Sequence, residues 1–517
     1  MNAFSAPKAV IVGAGPVGCL SAIALANLGW HVTVYERRSG EVLTNPSLPI
    51  SKPIPGNGRL ISPFQHGGIT ALQAIDSTLV ERILHNAVAL RGRMVHHLEG
   101  NTTRQQYDRR GHCLYSIERG LLNIILLEAA ASVPDIAIHF LHKAQSVDFD
   151  NNTLHLVNSV SGQEFDDRFD LCIGADGSHS VIRHHLMVAT QMEYSQYYLS
   201  HEYVEIKLPH GVDTSGHSAF LLDPDHLHVW PRGNFTLVAM PNKNKSFTCA
   251  LFAPKAIFDS LQYPDTLIPF FKTHFPDLLS VLGEKQLVLE LQKKPSQPND
   301  YNQSKPIPPW RCDNYRRCSP LNGILTSSDS GADTQIVLQV PFYGQGLNCA
   351  LEDVRILAIL LRREKDGHDP SVIRRVLNHY SESRHEDLLA ICDLAMDSQC
   401  VADRFSFLSL NPKHSLNMRH SVATWSYMIR GFIDNALYAI SDSPVLTDLT
   451  ETISSPKVPS GWIPLYSMVS FRPDISYSAA KKKAERQARL VDSFGVALGI
   501  LGLGYIFNFF INLNKLF

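Results

Sequence analysis

The chain has 517 residues, which is enough for two or three domains and a large core. Hydrophobic residues make up 44% of it and charged residues 19%, a globular composition that excludes a largely disordered chain. The formal net charge of −2 gives no support for a nucleic-acid partner. The nine cysteines are scattered without CxxC spacing, so we expect reduced thiols in an intracellular protein and no metal site.

The N-terminal stretch has the pattern of a βαβ unit. An apolar run at residues 10–12 leads into Gly13, Gly15 and Gly18, a helix-forming segment follows, and an alternating strand ends at Glu36. Gly13 allows a tight turn, Gly15 lets backbone N–H groups approach a pyrophosphate, and Gly18 lets helix and strand pack closely. The Glu36 carboxylate follows about 20 residues later, where it can accept hydrogen bonds from a ribose. The stretch therefore predicts a Rossmann-type dinucleotide-binding fold rather than a glycine-rich turn without a ligand.

Three charged residues further along are candidates for ligand binding, and each has a structural alternative. Arg93 lies in a strand-like stretch at residues 91–100, where the alternative is an exposed strand edge. Arg119 lies at the start of a helix and faces either solvent or a phosphate. Asp176 follows an apolar strand in DLCIGADG, where it either forms a turn or reaches a cofactor bound by the first βαβ unit.

The middle of the chain changes to a strand pattern. Alternation of apolar and polar residues predicts four strands, at 203–208, 227–231, 235–240 and 246–252. We expect an inserted antiparallel sheet that forms the wall of a pocket over the cofactor. A helical pattern follows at 264–283, and a proline-rich loop at 292–309 leads back to the nucleotide-binding part.

A glycine-rich stretch, VPFYGQGLN, precedes the next strong helical pattern. Backbone N–H groups of Gly346, Leu347 and Asn348 at that helix start can bind an anion or a carbonyl. The Asn348 side chain is either a helix N-cap or a polar contact inside a pocket.

The end of the chain has the composition of a membrane anchor. Residues 494–511 are eighteen residues without a charge, which as a helix span about 27 Å, close to the hydrocarbon thickness of a bilayer. Basic residues precede this segment from Lys481 to Arg489. Their position favours a cytosolic body with a C-terminal tail in the bilayer. The alternative is a hydrophobic terminal helix that docks on the body.

Several of these stretches together resemble a known family. The resemblance rests on the stretches GAGPVG, YSIERGLLN, GADGSHSVIR, LHVWPR, MPNKNKSFTCALF, VPFYGQGLN and IPLYSMVSF. They are similar to the kynurenine 3-monooxygenases, in particular fungal ones, which are FAD- and NADPH-dependent aromatic hydroxylases of the outer mitochondrial membrane. The resemblance runs from about residue 8 to the C-terminal anchor.

The resemblance implies roles for individual residues of this chain. Nine residues are expected to hold FAD: Gly13, Gly15, Gly18, Glu36, Arg119, Asp176, Asp329, Gly346 and Leu347. Three are expected to bind the substrate carboxylate: Arg93, Tyr107 and Asn348. Three more are expected beside the flavin ring and the substrate ring: Pro341, Phe342 and Gln345. The flavin supplies the chemistry in this family, so no catalytic acid, metal or nucleophile is expected of the protein.

The resemblance also implies an architecture and an activity. We expect an α/β protein with a Rossmann-type FAD-binding domain at 1–195 and 290–385, an inserted antiparallel β-sheet substrate domain at 196–289, a C-terminal helical region at 386–480 and a transmembrane helix at 491–513. The implied reaction is hydroxylation of L-kynurenine to 3-hydroxykynurenine with NADPH and O₂, in tryptophan degradation and de novo NAD biosynthesis. The implied location is the outer mitochondrial membrane, with the body facing the cytosol.

Two segments depart from the family pattern at sensitive places. Extra residues occur at 330–339, before the VPFYGQG loop, and at 398–416, where a tyrosine that helps bind the substrate carboxylate is missing. One hypothesis is that both are retained intron pieces in a gene model. Another is a membrane-tethered FAD-binding protein that no longer hydroxylates, and a third is a related hydroxylase with another aromatic substrate. Arg93 with Tyr107 argues for an amino acid carboxylate and so against phenol-type substrates.

Overall fold

A computed structural model gives the fold of the chain. It describes residues 6–40, 61–177, 180–190, 201–261, 263–292, 305–306, 325–326, 345–364, 369–407, 433–434, 436–441 and 458–493. The elements up to residue 174 are, in order, β1 (Lys8–Val12), α1 (Pro16–Ala26), β2 (His31–Glu36), β3 (Ile61–Phe64), α2 (His66–Ile75), α3 (Ser77–His85), β4 (Val88–Leu90), β5 (Gly92–His96), β6 (Thr102–Gln106), β7 (Leu114–Glu118), α4 (Arg119–Ala131), β8 (Ile136–Phe140), β9 (His142–Asp148), β10 (Thr153–Asn158), β11 (Glu164–Arg168) and β12 (Leu171–Gly174).

The remaining elements begin with helix α5. They are α5 (Val181–Thr190), β13 (His201–Leu208), β14 (Gly211–Val212), β15 (Ser218–Ala219), β16 (His226–Pro231), β17 (Thr236–Pro241), β18 (Phe247–Pro254), α6 (Lys255–Ser260), α7 (Pro264–His274), α8 (Pro276–Leu282), α9 (Glu284–Gln292), β19 (Lys305–Pro306), β20 (Leu325–Thr326), α10 (Gly346–Arg363), α11 (Pro370–Phe407) and α12 (Leu465–Phe471). A last helix, α13, covers residues 477–493.

The first core is built on a five-stranded sheet in the order β20-β12-β1-β2-β8, which is parallel except for β20. Strand β1 lies inside the sheet because its run of apolar side chains is buried by elements on both faces. The carboxyl ends of β1 and β12 are adjacent, with Val12 opposite Gly174. Parallel α/β sheets bind ligands at this edge. The βαβ unit predicted for the N-terminal stretch is confirmed.

The second sheet has seven strands in the order β19-β13-β18-β17-β16-β5-β6. Strands β13, β16, β17 and β18 occur where the alternation predicted them. One face packs on helices α7 to α9 through a buried cluster that includes Trp230, Phe247 and Phe271.

This second sheet also recruits β5 and β6 from the N-terminal half of the chain. Strand β5 pairs in parallel with β16, and Arg93 lies opposite Leu227, whereas the other pairings are antiparallel. The four strands predicted for the inserted sheet pair antiparallel with one another, as expected, whereas the addition of β5 and β6 was not predicted. The sequence predicted a strand near residue 93, but local alternation does not specify which sheet a strand joins.

The C-terminal helices are tied to α10 by a buried charge cluster. The Arg384 guanidinium on α11 contacts Asp353 Oδ1 on α10 at 2.7 Å and Asp387 Oδ2 at 3.2 Å. Asp387 Oδ1 in turn accepts a hydrogen bond from the main-chain N of Ser478 on α13, at 2.9 Å. Because an unpaired buried charge is costly, this cluster fixes the three helices together.

The segments that carry the expected insertions and the expected anchor are described only in part. Helix α11 continues through residues 398–407, the first part of the second inserted segment. Residues 330–339, 408–416 and 494–511 lie outside the described residues. Within the described ranges, no helix combines the length and the apolar character needed to cross a bilayer. The domain boundaries stay predictions.

Candidate active site

The glycine turn after β1 shows why each of its three glycines is needed. Gly13 has φ +104°, and a Cβ there would lie 2.4 Å from the carbonyl oxygen of Ala175 at the end of β12. A Cβ on Gly18 would lie 2.0 Å from the carbonyl oxygen of Gly13, so this glycine allows α1 to pack against the turn. A Cβ on Gly15 would meet no atom of the described chain within 4 Å. Gly15 therefore borders open space, as a pyrophosphate site requires.

The N-terminus of α1 faces this open space. Gly15 is its N-cap, and no side chain in the described part of the chain caps it. Its first N–H groups and its dipole therefore favour an anion. The residues present thus fit the pyrophosphate of a dinucleotide cofactor.

Glu36 is held at the end of β2 by two groups. Its Oε2 accepts a hydrogen bond from the main-chain N of Ala14 at 2.9 Å, and its Oε1 accepts one from Arg38 Nε at 2.7 Å. Burial alone would raise the pKa of Glu36, but the hydrogen bonds and charge of Arg38 hold it below its usual range. Arg38 was not identified as a site residue from the sequence, where the available signal was its position two residues after Glu36. The expected ribose contact of Glu36 stays a prediction.

Asp176 lies directly beside the glycine turn, and its Cα would be 3.1 Å from a Cβ on Gly13. Its Oδ2 accepts a hydrogen bond from the main-chain N of Val181 at 2.7 Å. Its Oδ1 is buried and has no hydrogen-bond partner among the described residues. Burial raises the pKa of this carboxyl group, and the hydrogen bonds that it accepts lower the pKa by less. The unfilled acceptor is suited to a hydroxyl group of a bound cofactor.

Arg119 begins helix α4 and lies near Tyr203 and Glu205 of β13 and near Arg38. Its side chain is exposed, yet the surrounding protein lowers its pKa. The phenol of Tyr203 and the carboxylate of Glu205 raise the pKa of Arg119, and the nearby positive charge of Arg38 lowers it further. Arg119 therefore lies within electrostatic reach of a second arginine, and an anionic ligand beside it would relieve this repulsion.

Arg93 lies in an aromatic cage that joins distant parts of the sequence. Its guanidinium carbon is 5.6 Å from the ring centroid of Tyr107 and 5.6 Å from that of Tyr466, and the two rings stack with centroids 5.5 Å apart. The Tyr107 hydroxyl is buried and has no hydrogen-bond partner among the described residues. Burial raises the pKa of both phenols, so both are neutral hydrogen-bond donors at pH 7.

Tyr466 was not identified as a site residue from the sequence. It lies on α12, in the IPLYSMVSF stretch whose resemblance to the family was the available signal. We name the set of Arg93, Tyr107 and Tyr466 the carboxylate cage, because one guanidinium and two phenols are the donors that a carboxylate accepts.

Gln345 and Asn348 tie the start of α10 to the segment between β3 and α2. Asn348 is fully buried; its Oδ1 accepts a hydrogen bond from the main-chain N of Gln65 at 2.9 Å, and its Nδ2 donates to the carbonyl of Pro63 at 3.0 Å. Gln345 Nε2 donates to the side-chain oxygen of Gln65. Gly346 begins the helix, as predicted. The expected ligand contacts of Gln345, Gly346, Leu347 and Asn348 stay predictions.

Three of the expected site residues cannot be placed. Pro341, Phe342 and Asp329 lie outside the described residues, so their expected positions beside the flavin stay predictions.

Comparisons with known proteins agree with this arrangement. Residues 7–241 match the FAD binding domain family. Among solved structures, 2-methyl-3-hydroxypyridine-5-carboxylic acid oxygenase matches with a TM-score of 0.56 at 16% identity, covering 78% of this chain and 93% of that one. Klebsiella pneumoniae HpxO, complexed with FAD and uric acid, matches with a TM-score of 0.54 at 17% identity, covering 83% and 97%. The fold is therefore that of the FAD-binding aromatic hydroxylases, with α/β content.

The sequence relatives define the family more narrowly. Kynurenine 3-monooxygenase of Yarrowia lipolytica is 32% identical over 518 residues, covering 97% of each chain. The enzymes of the same name from Cryptococcus neoformans and Saccharomyces cerevisiae are 32% and 30% identical, and each covers at least 96% of this chain. The chain belongs to the kynurenine 3-monooxygenase family.

Proposed function

We propose that this chain uses FAD, NADPH and O₂ to hydroxylate L-kynurenine to 3-hydroxykynurenine. The observation that carries the proposal is the carboxylate cage on the sheet face opposite helices α7 to α9, in a chain of this family. The reaction belongs to tryptophan degradation and de novo NAD biosynthesis.

The protein's part in this reaction is to bind and position. The bound flavin would supply the redox chemistry, from hydride acceptance to oxygen transfer. The turn of Gly13 and Gly15 would hold its pyrophosphate, Arg119 would bind an anionic part of it, and Asp176 Oδ1 would accept a cofactor hydroxyl. These residues would hold the cofactor at the carboxyl edge of the parallel sheet.

The carboxylate cage would hold the substrate by the end that does not react. Arg93 pairs with the α-carboxylate, and the neutral hydroxyls of Tyr107 and Tyr466 donate further hydrogen bonds to it. A carboxylate would also supply the partner that the buried Tyr107 hydroxyl lacks among the described residues. Gripping one end of the amino acid orients the aromatic ring without any catalytic acid or base.

The decisive experiment is turnover by the full chain in detergent. NADPH loss, peroxide and 3-hydroxykynurenine are followed together after addition of FAD, NADPH and L-kynurenine. We expect product to match NADPH loss. NADPH loss only as peroxide, or no turnover with flavin bound, would contradict the proposal and support the FAD-binding protein without hydroxylation that the inserted segments suggested.

A matched substrate tests the cage separately. Kynuramine has the same aromatic ring and ketone as L-kynurenine but no carboxylate. We expect its kcat/KM to be about 10- to 100-fold lower, because a charge-assisted contact with Arg93 contributes about 1.5–3 kcal/mol. Equal turnover of both compounds would contradict the cage and favour a hydroxylase with another aromatic substrate.

We also propose that residues 494–511 anchor the chain in the outer mitochondrial membrane, with the body in the cytosol. Their apolar run follows α13, whose Lys481 and Lys482 contact Asp393 and Glu386. These two lysines tie α13, the helix that precedes the apolar run, to the body. Carbonate extraction of mitochondria tests the anchor: the full chain should stay with the membrane, and a chain ending at Asp492 should be released. Release of the full chain would contradict the anchor.

A further inference from the structure

On the sheet face opposite the carboxylate cage, two histidines and an aspartate form a continuous hydrogen-bonded chain. His96 Nδ1 on β5 lies 2.7 Å from Asp277 Oδ2 on α8. His96 Nε2 lies 2.8 Å from His228 Nδ1 on β16, and His228 Nε2 lies 2.8 Å from the carbonyl oxygen of Asp223. Trp230 stacks on His96 at 4.1 Å and donates its Nε1 proton to Asp277 Oδ2 at 2.8 Å.

The number of protons in this chain follows from its end groups. The carbonyl of Asp223 can only accept, so His228 Nε2 carries a proton. Burial alone would raise the pKa of Asp277, but hydrogen bonds from His96 and Trp230 hold it below its usual range. Asp277 is therefore an anion that accepts a proton from His96 Nδ1. The hydrogen bond between His96 Nε2 and His228 Nδ1 requires a third proton, on one of these two nitrogens.

The four ring nitrogens of His96 and His228 then carry three protons, so one of the two rings is an imidazolium. His96 is the ring that contacts a carboxylate, with Nδ1 2.7 Å from Asp277 Oδ2, whereas His228 Nε2 faces only the carbonyl oxygen of Asp223. The positive charge therefore belongs to His96, and burial, which lowers the pKa of His228 to about 4, acts in the same direction. The His96 imidazolium then donates to Asp277 through Nδ1 and to His228 through Nε2.

The position of this ion pair connects it to substrate binding. Side chains alternate along a strand, so Arg93 and His96, three residues apart on β5, point to opposite faces of the sheet. The main-chain carbonyl of His96 is also held, because Arg232 Nη1 donates to it at 2.9 Å. Several charged and titratable groups from other elements surround the pair. They are Asp277 on α8, His226 and His228 on β16, Asp223 before β16, Arg232 directly after β16, Arg104 on β6 and Glu99 after β5.

We propose that His96 is a positioning residue whose imidazolium, held between Asp277 and His228, fixes β5 so that Arg93 is aligned for the substrate carboxylate. The inference rests on the proposed function and goes beyond it, because His96 lies on the face of the sheet that packs on α8, opposite to the face of Arg93. Its loss should weaken substrate binding and leave the rate with bound substrate unchanged.

The protonation state is measured without turnover. Long-range ¹H–¹⁵N spectra of protein labelled with ¹⁵N-histidine, at pH 7, should show His96 with both nitrogens protonated and His228 as a neutral ring protonated on Nε2. Spectra of His96→Gln and His228→Gln assign the signals. Two neutral rings, or the charge on His228, would overturn the assignment.

The positioning role is measured with Asp277→Asn, which removes the anion that stabilises the imidazolium. We expect the KM for L-kynurenine to rise about tenfold, with kcat and FAD content unchanged, because a small displacement of a binding group weakens binding before it affects chemistry. The matched control is Asp166→Asn, which removes an equally close His–Asp contact of 2.6 Å, to His155 on the exposed ribbon of β10 and β11. Its KM should not change.

The outcomes separate this inference from the proposed function. An unchanged KM in folded Asp277→Asn, or a fall in kcat and FAD content instead, would overturn the positioning role. If Asp277→Asn does not fold, His228→Gln is measured in its place, with the same direction of change expected. A wild-type chain that neither binds nor converts L-kynurenine would overturn the proposed function and the positioning role together, while the spectra would still decide the charge on His96.

Discussion

The glycine turn and the carboxylate cage are two ligand sites built in opposite ways. The glycine turn is contiguous in the sequence, and its properties come from the main chain: Gly13 has a positive φ, Gly13 and Gly18 leave no room for a Cβ, and Gly15 borders open space. The carboxylate cage is made of side chains from β5, from the residue after β6 and from α12 near the end of the described chain. The glycine turn requires residues without a side chain, whereas the carboxylate cage requires three separate elements to pack together. Substitutions should therefore affect the two sites differently.

The largest effects are expected within the glycine turn, where two glycines should fail in different ways. In Gly18→Val, the new Cβ would lie 2.0 Å from the Gly13 carbonyl oxygen, so α1 cannot pack and we expect no folded protein. In Gly15→Val, the side chain enters open space, so we expect a folded protein that has lost FAD. Circular dichroism and the flavin absorbance of purified protein check both. Gly15→Val that retains a full complement of FAD would contradict the pyrophosphate assignment.

Next in size is the effect of emptying the carboxylate cage. Arg93→Ala should raise the KM for L-kynurenine about 100-fold with FAD retained, because a charged partner of the carboxylate is removed. Tyr466→Phe should raise it about fivefold, since one neutral hydrogen bond is lost. Steady-state kinetics with flavin quantification measures both. Arg168→Ala, on strand β11 in the ribbon of β10 and β11, removes an exposed arginine and is the control. An unchanged KM in Arg93→Ala would remove the carboxylate assignment.

Asn348 distinguishes a structural from a ligand-binding role. Asn348→Ala leaves the buried main-chain groups of Pro63 and Gln65 without their partner, so the free energy of unfolding should fall by about 2 kcal/mol. We expect the KM for L-kynurenine to change by no more than about twofold. Urea unfolding and steady-state kinetics on the same preparation test this. A raised KM with unchanged stability would instead support the substrate contact that the family resemblance implied.

The difference between the two sites also explains what could be predicted from the sequence. The glycine turn was predictable because strand, turn and helix are consecutive, and each glycine has a local reason. Arg93 and Tyr107 were assigned only through resemblance, since nothing local pairs them. Tyr466 belonged to a recognised motif but had no role, because its contact with Arg93 depends on how α12 packs. The pairing of β5 with β16 was missed for the same reason: a strand's partner is decided by tertiary packing.

The smallest expected effect is the pH dependence that His66 adds beside the cage. Its ring packs edge-on against His112 and Phe471, and burial, with the nearby His112, lowers its pKa to about 4. The unfolded chain, with an ordinary histidine pKa of about 6.5, therefore binds the proton more readily. The buried neutral ring of His66 therefore costs the folded chain nothing above about pH 6.5, and the folded chain loses stability as the pH falls from 6.5 towards 4.

We expect the folded chain to lose about 1–2 kcal/mol between pH 6.5 and pH 5 on account of His66, allowing for its partial contact with solvent. His66→Gln has no ring to protonate, so its free energy of unfolding should fall less over this range. Urea unfolding of the apoprotein at both pH values gives the difference between the two chains directly. If wild type and His66→Gln lose the same free energy, the acid sensitivity belongs to other groups. The next variant to measure is then His228→Gln, because burial lowers the pKa of this histidine to about 4 as well.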